Sequence, residues 1–131
     1  MESIKPGLVG EASVQVTPEL SARHLGSGGV EVYATPSMIA LMETAAVKAV
    51  DPLLPEGQAT VGVSVEIKHL AATPAGQTVR ARAEVMGVEG RRVHFVVQAW
   101  DEDELIGEGT HTRYVIDMAR FLERVEAKRY R

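Results

Sequence analysis

The sequence predicts an α+β fold in which an antiparallel sheet is wrapped around one long hydrophobic helix. Two observations carry this. The run from Met38 to Val50, MIALMETAAVKAV, contains good helix formers and no glycine, and almost every side of it is apolar or small. A helix without a broad polar face is a buried one. The run is followed by segments whose apolar and polar residues alternate with period two between turn signals, as half-buried strands do. One helix and a succession of such strands bury their apolar sides against each other as an α+β layer pair.

The elements are expected as follows. Gly10 to Val16 is a strand, with Ala12, Val14 and Val16 on one side and Glu11, Ser13 and Gln15 on the other. Gly26-Ser27-Gly28-Gly29 is a flexible loop, and Val30 to Tyr33 is a short extended piece. The helix opens with Thr35 as its N-cap and Pro36 at the first helical position. It stops before Asp51-Pro52, because the residue preceding proline avoids the α region. In the next strand Val61, Val63, Val65, Ile67 and His69 share one face. After a turn at Thr73 to Gly76, Val79, Ala81, Ala83 and Val85 face inward and Arg80, Arg82 and Glu84 outward. Gly87 to Gly90 turns the chain into a strand whose inner face is Val93, Phe95, Val97 and Ala99. Asp101 to Glu104 is a charged turn, Leu105 to Ile116 the last strand, and Asp117 to Arg131 a short exposed helix. The four strands after the helix are expected to form a meander. Open edges and an outer apolar face invite dimerisation.

At 131 residues, with 45% hydrophobic and 24% charged, the chain is expected to be a single domain over 1–131. The absence of cysteine rules out disulfides, thiolate nucleophiles and cysteine-based zinc sites. A net charge of −4 argues against a broad basic surface, so no nucleic-acid partner is expected. Met1 to Pro6 has no long apolar run, so neither a signal peptide nor a membrane span is expected, and the expected location is cytoplasmic. No His-Glu-x-x-His, Walker loop or strand-linked GxGxxG is present, so neither a metal nor a bound cofactor is expected.

Five residues draw attention. Glu43 lies on the flank of the helix's apolar face, among Ile39, Ala46, Val47 and Val50, while Ala40, Thr44 and Lys48 mark the small, polar side. It is either a margin glutamate or a half-buried carboxylate suited to proton transfer. His69 ends the apolar row of its strand, either as a structural residue or as a ring aimed at the helix N-terminus. Thr35 is accounted for by capping, worth about 1 kcal/mol, yet free helix N–H groups gather there and make an oxyanion site. His111 and Arg113 share one side of the last strand, after Gly107 and Gly109, where glycine admits a close neighbour. Arg113 suits a phosphate or an acidic neighbour.

At these residues the chain resembles the hotdog-fold thioesterases, and specifically the fluoroacetyl-CoA thioesterase-like group, from about Gly7 to Met118. The segments are Val32-Tyr33-Ala34-Thr35, Leu41-Met42-Glu43, His69 with Ala71-Ala72-Thr73-Pro74, Val88-Glu89-Gly90-Arg91-Arg92, and Gly107-Glu108-Gly109-Thr110-His111. The resemblance implies a hotdog fold and hydrolysis of a short-chain acyl-CoA, with CoA as part of the substrate and no separate cofactor. It implies Thr35, Glu43 and His69 as catalytic residues, with Gly62, His69 and Arg113 contacting substrate. With an edge and an apolar surface left to cover, a homodimer or a dimer of dimers is expected. The glycine-rich segment departs from fluoroacetyl-CoA-specific members, which carry bulky residues in the matching lid. Thioester hydrolysis needs an oxyanion site, a nucleophile or activated water, and a proton acceptor. Thr35 and Glu43 are eight residues apart, ~12 Å along a helix. The substrate is therefore expected to lie between them, or one site member to come from a partner subunit. Two alternatives stand beside hydrolysis: a hotdog hydratase, which needs an Asp/His pair placed differently, and a non-catalytic acyl-CoA-binding dimer.

Overall fold

The structure is a computed structural model that describes residues 3–130. Met1, Glu2 and Arg131, which belong to the predicted terminal segments, lie outside them. In chain order the elements are β1 (Val9–Gln15), α1 (Ala22–Leu25), α2 (Thr35–Val50), β2 (Gln58–His69), β3 (Thr78–Glu89), β4 (Arg92–Trp100), β5 (Leu105–Asp117) and α3 (Met118–Ala127). Among the described residues the strands form one antiparallel sheet in the order β1-β3-β4-β5-β2.

The sheet and α2 bury each other. Met38, Leu41, Met42, Ala45, Ala46, Ala49 and Val50 of the helix are buried. They meet the inner rows Val79-Ala81-Ala83-Val85 of β3 and Val93-Phe95-Val97-Ala99 of β4, all of them buried as the alternation predicts. Full burial of each large member contributes about 1.5–3 kcal/mol. Alanines on the helix let the backbones come close. At Gly10 of β1 a Cβ would lie 2.6 Å from the Ala49 amide nitrogen, so no side chain fits between strand and helix there.

α2 packs chiefly on β1 and β3 and only lightly on β2. The side of α2 that faces β2 is correspondingly less covered, with the Glu43 side chain 41% exposed, and this open side is the trough between helix and sheet edge. This trough positions the site.

Several sequence expectations are corrected. β2 does not open a meander: it pairs with β5 at the far edge, and only β3, β4 and β5 run consecutively. Period-two alternation reports which face is buried and says nothing about which strand is the neighbour. The connection over 70–77 crosses about three strand spacings, ~14 Å, well within the reach of eight residues. Nor does β2 carry one continuous row. Gly62 pairs with Arg113 and Ser64 with Thr112, so Val63 is a bulge residue. The extra residue flips the parity. Gly62 thereby joins Val65, Ile67 and His69 on the inner face, and Val61, opposite Tyr114, is turned out. Gly87 sits at a second irregularity, between Val85 and Gly87, and the β3–β4 turn is Gly90-Arg91. The glycine-rich segment is preceded by the one-turn α1, which Gly26 ends in the left-handed region at φ 73°.

Candidate active site

Helix α2 begins at Thr35 itself, and its N-cap is Ala34. The expected capping role of Thr35 is thus corrected: its hydroxyl makes no cap bond. Thr35 Oγ1 instead lies 2.7 Å from His69 Nδ1, which the end of β2 brings to the helix N-terminus. Leu70 N donates to Ile106 O at 2.7 Å, so the strand holds up to that point. The following connection is tied to the helix entrance by Tyr33 N donating to Thr73 O at 2.8 Å. Thr73 is fully buried and its hydroxyl donates to Asp101 Oδ2 at 2.8 Å. The charged turn expected from Asp101 to Glu104 therefore helps to anchor the chain that follows His69.

Burial holds the His69 imidazole below the ordinary histidine range, with the Ala71 backbone opposing the shift. A neutral ring is the form that accepts a proton from a hydroxyl. His69 Nε2 is buried with no partner in hydrogen-bond geometry among the described residues. Ring and hydroxyl line a cavity of about 380 Å³ with Ser27, Tyr33 and Ala71. Pro36 lacks an N–H and Met38 N donates to Ala34 O at 3.0 Å. The Thr35 and Ser37 amides are left as the helix-end donors.

Glu43 lies two turns further along α2, facing β2 and β5 across the trough. Its side chain is 41% exposed, and Oε2 accepts from Arg113 Nη1 at 3.2 Å, an arginine whose own side chain is 7% exposed. Gly62 stands opposite: a Cβ there would lie 2.6 Å from Glu43 Oε2. Arg113 Nε donates to Thr60 Oγ1 at 2.8 Å and Nη2 to Thr60 O at 3.0 Å. His111, buried beside it, stacks on Phe95 with ring centroids 5.9 Å apart.

The structure thus brings Thr35 to His69 and Glu43 to Gly62 and Arg113, as two clusters along one helix within a single chain. Arg113 has the acidic neighbour that its residue type suited, Glu43. Sequence reasoning missed Thr60 and Asp51. Thr60 Oγ1 donates to Asp51 Oδ1 at 2.6 Å, which gives the residue after α2 a part in seating Arg113. No local pattern marks that pairing. His94 Nε2 lies 2.7 Å from Glu89 Oε1 and its Nδ1 3.0 Å from Thr112 Oγ1, away from both clusters.

Comparison with known proteins bears on this arrangement. A hot-dog-like protein from Thermanaerovibrio acidaminovorans superposes with a TM-score of 0.89 at 27% identity, over 97% of this chain and 94% of its own. The crystal structure of the fluoroacetyl-CoA-specific thioesterase FlK also gives 0.89, at 38% identity, covering 96% of this chain and 98% of that one. A Thermus thermophilus hypothetical protein, a thioesterase superfamily member, gives 0.89 at 36% identity, covering 99% and 98%. The sheet curled around α2 is the hotdog fold, and the protein is a thioester hydrolase of that class. Residues 16–119 match the family model for fluoroacetyl-CoA-specific thioesterase, and a fluoroacetyl-CoA thioesterase from Streptantibioticus cattleyicolor is 41% identical over 119 residues, 86% of each chain. The chain belongs to the fluoroacetyl-CoA-specific thioesterase family.

Proposed function

We propose that the protein hydrolyses a short-chain acyl-CoA to the free acid and CoA, with the thioester lying in the trough between the Thr35–His69 pair and Glu43. The observation that carries this is the 2.7 Å contact of Thr35 Oγ1 with Nδ1 of the half-buried His69, Thr35 lying on the same helix as a carboxylate that faces a glycine. A related FlK structure, 39% identical and covering 90% of this chain, holds fluoroacetate and CoA.

In this reading His69, neutral, takes a proton from the Thr35 hydroxyl as base. The Thr35 and Ser37 amides, at the positive end of the α2 dipole, stabilise the oxyanion that grows on the thioester carbonyl. Glu43, oriented by Arg113, takes a proton from water on the other side of the acyl group. If Thr35 attacks, the C–S bond breaks as His69 returns the proton to the departing CoA thiolate, and the water deprotonated by Glu43 then cleaves the acyl-Thr35 ester; if that water attacks directly, Thr35 keeps its proton and the departing thiolate takes the proton held on Glu43. An acyl-enzyme trapped by rapid acid quench assigns the attack to Thr35. Gly62, His69 and Arg113 line the substrate's path. Arg113 stands near the acyl group, because its guanidinium is buried against Glu43. The short Gly26 to Gly29 segment and Ser27 put little bulk over the cavity, which favours substrates beyond a two-carbon acyl group.

The working unit in this reading is the whole chain as one domain, in the cytoplasm, as a homodimer or a dimer of dimers. Among the described residues no helix is long and apolar enough to cross a membrane. β2 is a twelve-residue sheet edge, with Val65 40% and Val63 50% exposed beside the trough. The test is a panel of acyl-CoA thioesters assayed for thiol release and free acid in equal amounts. Equal release supports hydrolysis. Tight binding without turnover across the panel supports a binding module instead.

A further inference from the structure

The geometry points to His111 as a positioning residue for Glu43, acting through Arg113. The inference rests on the reading of Glu43 given above. His111 Nδ1 lies 2.8 Å from the Ser64 carbonyl oxygen, which has no proton to give, so Nδ1 carries the hydrogen. In the neutral ring Nε2 is then a bare acceptor, and it lies 3.2 Å from Arg113 Nη1, a group that only donates. Nη1 has two hydrogens, and its other partner is Glu43 Oε2 at 3.2 Å.

The rest of the guanidinium is committed elsewhere. Nε and Nη2 are held by Thr60 Oγ1 and Thr60 O. Thr60 is held in turn by Asp51, whose Oδ2 accepts from Thr60 N at 3.2 Å and whose Oδ1 accepts from the hydroxyl. His111 supplies what remains: an acceptor that faces one Nη1 hydrogen and leaves the second directed at Glu43. Its ring is 2% exposed and stacked on Phe95, so the acceptor does not wander. Without Nε2, a buried Nη1 hydrogen loses its partner, a costly state that the guanidinium relieves by turning. Glu43 then loses its orientation while its carboxylate and the Thr35–His69 pair stay intact.

The experiment is a double-mutant cycle on the full chain. It measures kcat and KM with acetyl-CoA, or with whichever acyl-CoA the panel shows to turn over fastest, and Tm for every variant. His111→Leu is expected to lower kcat at least about tenfold with KM within about twofold. In a Glu43→Gln background the same substitution is expected to change kcat less than about twofold, since there is no longer a carboxylate to position. His111→Gln, which restores an acceptor oxygen, is expected to recover kcat to within about threefold of the parent. Equal losses in both backgrounds, or a raised KM with kcat kept, would overturn the inference. Should His111→Leu fail to fold, nitrogen NMR of the native ring decides. A neutral ring protonated at Nδ1 is expected, and one protonated at Nε2 overturns it. If Glu43→Gln alone keeps more than about half of kcat, a barrier change under 0.5 kcal/mol, the Glu43 reading itself fails, independently of the ring's tautomer.

Discussion

Gly62 and Glu43 are fitted to each other across the trough. A Cβ on Gly62 would lie 2.6 Å from Glu43 Oε2, and 3.4 Å from both Arg113 Nη1 and His111 Cε1. The clash is with the far end of a flexible side chain and not with backbone, so an added methyl displaces the carboxylate while the strand stays in place.

Gly62→Ala is therefore predicted to fold normally and to lose activity. A displaced carboxylate misses the water it should deprotonate, so kcat is expected to fall at least about tenfold, ~1.4 kcal/mol in the barrier. Tm should stay within about 2 °C of the parent, as for a change that leaves packing intact. Steady-state kinetics and a thermal melt on one preparation check this. Unchanged kcat would mean that the Glu43 position does not matter.

Acidification is predicted to lower stability before any carboxylate is neutralised. Burial holds both His69 and His111 below the ordinary histidine range. The charged groups facing His111 are Arg113 from its own strand, which disfavours a second cation, and Glu43 from α2, which opposes this; β2 faces it with the Ser64 carbonyl and β4 with Phe95. Over the interval between the depressed folded value and the unfolded value near ~6.5, the unfolded chain binds more protons. Stability therefore rises with pH there and falls as pH drops below ~6.5. Melts at pH 7.5 and at about 5.5, where carboxylates remain ionised, should show the lower Tm at the lower pH, with a smaller difference in His111→Gln. Identical Tm values at both would contradict buried neutral rings.

The edge strand carries a third prediction. Val63→Lys places a charge on the exposed β2 edge, at the bulge residue that is 50% exposed, a device that blunts strand pairing between chains. Light scattering should show the parent as a dimer or larger and the variant shifted toward monomer, with kcat/KM falling in parallel. A well-behaved, fully active monomeric parent would contradict the proposed assembly.

Much of the fold was legible because its signals are local. Inner rows such as Val79-Ala81-Ala83-Val85 and the apolar run of α2 declare their faces through periodicity alone. Strand order was not legible, since β2 reads the same whether β3 or β5 lies beside it. The bulge at Val63 was hidden for a related reason: the alternating valines imitate one unbroken row, and only the pairing of Gly62 with Arg113 and Ser64 with Thr112 reveals the slip. In the site, the residue types at Thr35, Glu43 and His69 stood out, because each is polar beside an apolar stretch. The bond that binds Thr35 to His69 spans 34 positions, and the chain from Asp51 through Thr60 to Arg113 closes only in three dimensions. A threonine at a helix start looks like a cap in any sequence.

Thr35→Val is predicted to separate the hydroxyl from the fold. It removes the 2.7 Å contact with His69 at a partly open position while keeping the side-chain shape. kcat should fall at least about a hundredfold, ~2.7 kcal/mol in the barrier, with Tm nearly unchanged. Thr35→Ser should retain most activity. Loss of Tm equal to the loss of activity would mean that the pair is structural.

The most direct test of thioester hydrolysis in this trough is the rate of thiol release from a saturating acyl-CoA by the parent and by Glu43→Gln, measured side by side. The amide fills the volume of the carboxylate and still accepts from Arg113 Nη1, but it takes no proton. The account predicts stoichiometric thiol and acid from the parent and, for the variant, a kcat lower by at least about a hundredfold with KM and Tm little changed. A Glu43→Gln enzyme that keeps more than about half of the parental kcat would contradict it.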